Sequence, residues 1–132
     1  MANSVNVYEE SYTAYGDLRS NQFFCVEFLT AADRVVQRTS AVTAIVCGVL
    51  QNNPQSGEVA VVRHLGRTKM LVNCIGVSTA GYMLGTTALG GADVKLTPVA
   101  DSGEYVIALA VESAVTSGAL VEALLYGAPI PL

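Results

Sequence analysis

Short apolar segments that alternate with a period of two, separated by glycines, dominate this sequence from residue 22 onward. In the segment 68–74, for example, Met70, Val72 and Cys74 share one face of an extended chain. A period of two is typical of a β-strand. Strands that recur at intervals of about 8–12 residues, with turn residues between them, are typical of a sandwich or a barrel. The sequence therefore predicts an all-β fold, either a small β-barrel or a β-sandwich.

The same patterns predict the individual strands. They are placed at 22–28, 42–50, 59–65, 68–74, 82–84, 94–97, 104–111 and 120–126. The segments 59–65 and 68–74 are predicted to form a hairpin, because Gly66 and Arg67 separate two strand-like runs.

The segment 104–111 is apolar on both faces. Tyr105, Ile107, Leu109 and Val111 share one face, and the other face carries small residues such as Ala108. A strand with one face in water shows polar residues on that side. Both faces of this strand are therefore predicted to be covered, the larger residues by the interior and the smaller ones by a second layer from this chain or a neighbour.

The two ends of the chain differ from its centre. Residues 1–20 are polar and are predicted to form an N-terminal arm, followed by a single β domain over residues 21–132. The arm carries Tyr8, Tyr12 and Tyr15, at a spacing that fits one face of a short helix; an extended arm remains the alternative. The last six residues contain two prolines, which cannot continue a central strand, and are predicted to form an extended C-terminal tail.

Charge is scarce and no segment is strongly basic. Hydrophobic residues make up 52% of the chain, charged residues 14%, and the net charge is −4. So little charge indicates an unusually apolar surface, a larger core fraction, or both. An exposed apolar surface favours an oligomer or a larger assembly; the alternative is a tightly packed monomer with many small residues. Nucleic-acid binding is not predicted, because it needs a positive stripe. No apolar run reaches 18 residues and no basic segment precedes an apolar one near residue 1, so neither a membrane span nor a signal peptide is predicted, and synthesis in a cytoplasm is expected.

No constellation of residues indicates catalysis, a cofactor or a metal. His64 is the single histidine, and the spacings between Cys25, Cys47 and Cys74 match no zinc pattern. The glycine-rich segment 85–93 lacks the lysine of a phosphate-binding loop. We therefore expect no enzymatic activity, no cofactor and no metal site.

A weak internal repeat relates two parts of the chain at an offset of 61 residues. The segment 46–51, followed by Ser56-Gly57 and Gly66, aligns with 107–112, followed by Ser117-Gly118 and Gly127. Each unit is predicted to comprise a strand, a Ser-Gly turn, a second strand and a glycine. Two such units could close a barrel; the alternative is chance similarity in a chain rich in Val, Ala and Gly.

These glycines and valine-rich strands also carry a resemblance to a known family. The motifs are Cys47-Gly48-Val49-Leu50-Gln51-Asn52, Ser56-Gly57-Glu58-Val59, Gly66-Arg67-Thr68-Lys69-Met70, Gly103-Glu104-Tyr105-Val106 and Ser117-Gly118-Ala119-Leu120-Val121. Together they resemble the small capsid cement, or head decoration, proteins of tailed bacteriophages. The resemblance covers about residues 22–126 and involves no catalytic signature.

The resemblance implies a structural virion protein that binds the outer surface of the capsid and stabilises the lattice of the major capsid protein. It implies two kinds of partner, the major capsid protein and further copies of the chain, most often as a homotrimer. The residues predicted to make these contacts are Tyr8, Tyr12, Tyr15, Ile130 and Leu132. The alternative is a tail- or fibre-associated β module that binds a receptor or another structural protein.

Overall fold

The computed structural model describes residues 7–72, 83–87, 90–94, 104–113 and 118–131. All the regular secondary structure among these residues is β-strand, which confirms the all-β prediction. The strands are β1 (Tyr8–Ala14), β2 (Cys25–Phe28), β3 (Val35–Arg38), β4 (Gly48–Leu50), β5 (Val59–Leu71), β6 (Met83–Thr86), β7 (Ala92–Val94), β8 (Tyr105–Ala110) and β9 (Leu120–Pro131).

Five of these strands close into a barrel. Their order is β1-β3-β2-β4-β5, and β1 also pairs with β5, so the ring has no free edge. The pairing of β1 with β3 is parallel, and the other four pairings are antiparallel. The prediction of a small barrel is thereby confirmed.

Strand β5 belongs to the barrel and to a second sheet. Its first half pairs with β1 and β4, and its second half pairs with β9 from Leu65 to Leu71. β8, β6 and β7 then extend the sheet beyond β9. The change of partners takes place beside Gly66, whose φ of 101° is in the left-handed region that glycine adopts without strain.

The predicted hairpin of 59–65 and 68–74 is therefore wrong over the described residues. Gly66 lies inside a strand that continues to Leu71. The two halves of β5 do not pair with each other, because each finds a different partner elsewhere in the chain. Residues 73 and 74 lie outside the described residues.

The two larger hydrophobic cores lie on opposite faces of β2 and β4. Val26 and Leu50 lie in the barrel interior, whereas Cys25 and Val49 pack between the barrel and the second sheet. All four are fully buried. Since neighbouring residues of a strand point to opposite faces, β2 and β4 are buried on both faces at these positions.

In β8, the assignment of its two faces differs from the prediction. Ala108 and Ala110 are buried against the barrel, whereas Leu109 is half-buried on the outer side. The register against β9 shifts between Val106 and Ala108, and Ile107 lies in the buried core at this irregularity. A bulge of this kind changes the alternation along a strand, and the sequence pattern does not show it.

The internal repeat corresponds to two similar strand pairs. β4 pairs with β5 and β8 pairs with β9, both antiparallel. The glycines at matching positions share a left-handed backbone: Gly57 and Gly118 have φ of 86° and 91°, and Gly66 and Gly127 have φ of 101° and 90°. Over the described residues, the two units thus share an antiparallel strand pair and left-handed glycines at matching positions.

Both terminal segments belong to strands over most of their described residues. Over Tyr8–Ala14 the predicted arm is β1, which is part of the barrel wall. The predicted tail is extended but is the last part of β9, where Ile130 pairs with Val106. Its prolines are tolerated because the pairing of β9 with β5 ends at Tyr126, which leaves β8 as the partner of this segment.

Candidate functional site

Four aromatic rings close one end of the barrel. The ring centroid of Tyr12 lies 5.3 Å from that of Phe28 and 5.6 Å from that of His64, both in edge-on arrangements. The Tyr8 ring lies 5.3 Å from His64. The guanidinium of Arg34 lies 5.0 Å from the centroid of the Tyr12 ring, a cation–π distance. Tyr8 and Phe28 remain about half exposed, so the cluster is both part of the fold and part of the surface.

A chain of hydrogen bonds runs beneath these rings. The Nδ1–H group of His64 donates to the carbonyl oxygen of Cys47, at an N···O distance of 2.7 Å. The Nε2 atom lies 2.7 Å from the hydroxyl oxygen of Tyr12. That hydroxyl is also 3.0 Å from the carboxylate of Glu10. Both ring nitrogens of His64 thus have partners within the fold.

The surroundings shift the ionisation of several groups in this region. Hydrogen bonds from the hydroxyls of Tyr8 and Tyr12 lower the pKa of the Glu10 carboxyl. Burial, and then the hydrogen bond to Glu10, raises the pKa of Tyr12 above its ordinary value. Burial raises the pKa of the Cys47 thiol to about 12, so this cysteine is neutral and unreactive near pH 7.

The lowered pKa of Glu10 predicts how the fold responds to acid. A carboxyl whose pKa is lower in the folded state stabilises the fold above its unfolded pKa, near 4.5, and this contribution is lost as the pH falls through the folded value. We expect the thermal midpoint of Glu10→Gln to fall less steeply than that of the unsubstituted protein between about pH 5 and pH 3. Melting curves at several pH values check this, with Asp33→Asn as the exposed control. Parallel curves for the two proteins would contradict it.

An apolar groove opens beside the aromatic cluster. Its volume is about 240 Å³, and its walls are Phe28, Ile45, Val46, Cys47, His64 and Gly127–Pro129. We call this surface the barrel-end groove. Phe28 and Ile45 are 46% and 60% exposed. Large apolar side chains that stay exposed around a concave surface are typical of a site that binds another molecule.

The outward face of the second sheet is also apolar. We define the outer sheet face as Leu65, Arg67, Lys69 and Leu71 of β5, Leu120, Glu122, Leu124 and Tyr126 of β9, Leu109 of β8 and Met83 of β6. Leu65, Met83, Leu120, Leu124 and Tyr126 are between 37% and 47% exposed. An antiparallel sheet with one face on its core normally carries polar residues on the other face. The outer sheet face departs from that rule, which makes it a second candidate interaction surface.

The structure places the predicted contact residues in different environments. Tyr8, Tyr15 and Ile130 are about half exposed, so they are available for contact. Tyr12 is only 8% exposed and contributes to the barrel core, because the parity of β1 points it inward with Ala60 and Val62. Leu132 lies outside the described residues.

Sequence reasoning missed several residues of both surfaces. Phe28 belongs to the predicted strand 22–28, and its position at the end of β2 exposes it. Ile45 was assigned to a strand, but it precedes β4 in a loop. The outer sheet face did leave a signal, since Leu120, Leu124 and Tyr126 alternate with residues that are themselves apolar.

The described residues offer little for metal chemistry. Within them, no group of three or more His, Cys, Asp or Glu side chains is placed to hold a metal ion. No helix in this part of the chain has the length and apolar character that crossing a membrane requires.

Comparisons with known proteins point to the fold alone. No protein-family model matches the sequence, and no curated protein sequence matches it either. Among solved structures, the chain is similar to the head fiber gp8.5 N base of bacteriophage phi29, with a TM-score of 0.66 and 17% sequence identity. The similarity covers 96% of this chain and 100% of that chain. At this level of identity it shows that the two chains share a fold.

Proposed function

We propose that this chain is a structural protein of a bacteriophage virion and that it binds the outer surface of the capsid, where it strengthens the lattice of the major capsid protein. The observation that carries the proposal is the similarity of nearly the whole chain to the base of a phage head fibre. The sequence motifs resemble capsid cement proteins, which perform a related task. A binding role of this kind needs an apolar surface and no reaction, so we also propose that the chain is not an enzyme.

The barrel-end groove is the surface that we assign to capsid binding. It is concave, and Phe28 and Ile45 can each bury a large apolar area in a partner. Tyr8 is one of the four rings of the cluster and adds an aromatic side chain with a polar tip, a residue type enriched at interfaces. The net charge of −4 suits an outward-facing position better than contact with packaged DNA.

Co-sedimentation with purified capsids tests the proposal. We expect the full chain to bind expanded capsids, and Ile45→Lys to weaken binding by about tenfold or more, because a central apolar contact is replaced by a charge that must be desolvated. Val59→Lys is the matched control, since Val59 is 58% exposed but lies outside the groove. A folded chain that fails to sediment with capsids would contradict the proposal, and equal loss for both variants would exclude the groove.

A second candidate function is favoured by the same structural similarity. The similar chain is described as a base, so this chain could also anchor a longer fibre to the head. A reconstruction of the virion separates the two roles. Density that ends within the volume of a 132-residue chain supports a cement protein, and density that continues outward supports a fibre base.

A further inference from the structure

We infer that the outer sheet face binds the same face of a second copy of this chain, with a two-fold axis that runs along the strands between β5 and β9. This inference goes beyond the proposed function and does not depend on capsid binding. It starts from the exposed apolar residues of β5 and β9, which require a partner that the described part of the chain does not supply.

The register of β5 and β9 makes this face complementary to itself. Leu65 pairs with Tyr126, Lys69 with Glu122, and Leu71 with Leu120. Each of these cross-strand pairs forms one row of the face. A two-fold rotation about the proposed axis places β5 of one copy over β9 of the other, and each row then lies opposite the same row of the other copy. Each residue of β5 then faces, on the other copy, the same residue type that it pairs with in its own sheet.

Charge complementarity identifies the partner as a second copy. In this arrangement Lys69 faces the Glu122 carboxylate of the other copy, and Glu122 faces Lys69 in return. Arg67 lies one row away, 3.5 Å from Glu122 of its own chain, and can share that carboxylate. The pair Leu65–Tyr126 lies on one side of these charges, and the pair Leu71–Leu120 lies on the other. An interface between identical surfaces must be complementary to itself, and a binding face for an unrelated protein has no such requirement.

The expected contact is small. Two strands over seven residues measure roughly 10 Å by 23 Å from the usual strand spacing and rise, well under the roughly 800 Å² per partner of a standard interface. The pair should therefore be in equilibrium with the monomer and depend on concentration. A homotrimer, which the family resemblance implies, would need a different contact.

Sedimentation equilibrium of the full chain over a wide dilution series tests this inference in the absence of capsids. We expect a monomer–dimer equilibrium. Glu122→Lys should raise the dissociation constant by about tenfold or more. Arg67, Lys69 and the lysine introduced at position 122 would then face the same three cations of the other copy. Lys69→Glu should act in the same direction by bringing carboxylates together. The double variant Lys69→Glu/Glu122→Lys exchanges the charges and should restore association toward that of the unsubstituted chain.

Thermal melting of each variant shows whether it folds, and the two single variants provide independent evidence if one of them does not. Val59→Lys, an exposed site elsewhere on β5, should leave the equilibrium unchanged. A monomer at every concentration, a trimer, or a dimer that both charge variants leave intact would overturn the inference. So would a double variant that associates no better than the single ones. None of these results bears on capsid binding.

Discussion

Replacing Gly48 with alanine should cost about 3 kcal/mol or more of folding free energy, because β4 could no longer lie against β5. A Cβ atom at Gly48 would overlap the carbonyl oxygen of Arg63 and would lie 2.7 Å from Cγ1 of Val62. The first of these is a backbone atom of the neighbouring strand, so no side-chain rotation relieves the overlap. The two strands would have to separate where the barrel closes.

Gly57→Ala is the control that separates the steric cost of an added side chain from the cost of an unfavourable backbone conformation. Gly57 has a left-handed φ of 86°, but nothing lies within 4 Å of an added Cβ. Its replacement should cost only about 1 kcal/mol, the usual penalty for a side chain in that conformation. Denaturant unfolding of both variants measures the two costs. Equal costs, or a smaller cost at Gly48, would contradict the packing of β4 on β5.

The second large effect is expected at Met70. This side chain is fully buried between the barrel and the second sheet, in the core that also holds Cys25, Val49 and Leu125. Truncation of a buried methionine to alanine removes apolar contacts and leaves a cavity, at a cost of about 2–5 kcal/mol. Since a domain of this kind is stable by only about 5–15 kcal/mol, Met70→Ala should lower the denaturant midpoint substantially.

Lys69→Ala provides the matched comparison for Met70→Ala. Lys69 is the preceding residue of the same strand and points to the opposite, exposed face. Its truncation should change the free energy of unfolding by less than about 0.5 kcal/mol. Chemical denaturation with a single protocol measures both variants. Similar losses of stability at the two positions would mean that Met70 and Lys69 do not occupy opposite, buried and exposed, faces of β5.

The sequence predicted many local features of this fold, although it placed no strand over β1 or β3. Period-two alternation marked most strands, and glycines at an offset of 61 residues marked two similar units whose glycines share left-handed backbones. Both signals are local, because they reflect how a strand presents its side chains and which residue tolerates a positive φ. The choice of partner strands is not local. Gly66 could equally have reversed the chain into a hairpin, and only the pairing of β5 with both β1 and β9 shows that it did not.

The candidate surfaces were harder to predict for the same reason. The spacing of Tyr8, Tyr12 and Tyr15 fits a helix face, but Tyr12 lies inside β1 and points into the barrel. Tyr8 begins the strand, at a register shift, and Tyr15 follows its last residue, and both stay exposed. His64 could be interpreted as a residue satisfied within the fold, yet its partners Tyr12 and Cys47 are distant in sequence. A groove formed by a strand end, a loop and the end of β9 depends on the closed barrel, which no local pattern contains.

The last residues of β9 have a consequence for chains at high concentration. Pro129 and Pro131 are two residues apart, so the positions where each lacks an N–H fall on the same side of the strand. Ile130 occupies the intervening position and pairs with Val106 of β8. The side away from β8 therefore presents carbonyl acceptors without the matching donors. Such an edge disfavours the addition of a foreign strand along this segment, which lowers the tendency of crowded chains to grow into cross-β fibrils through it.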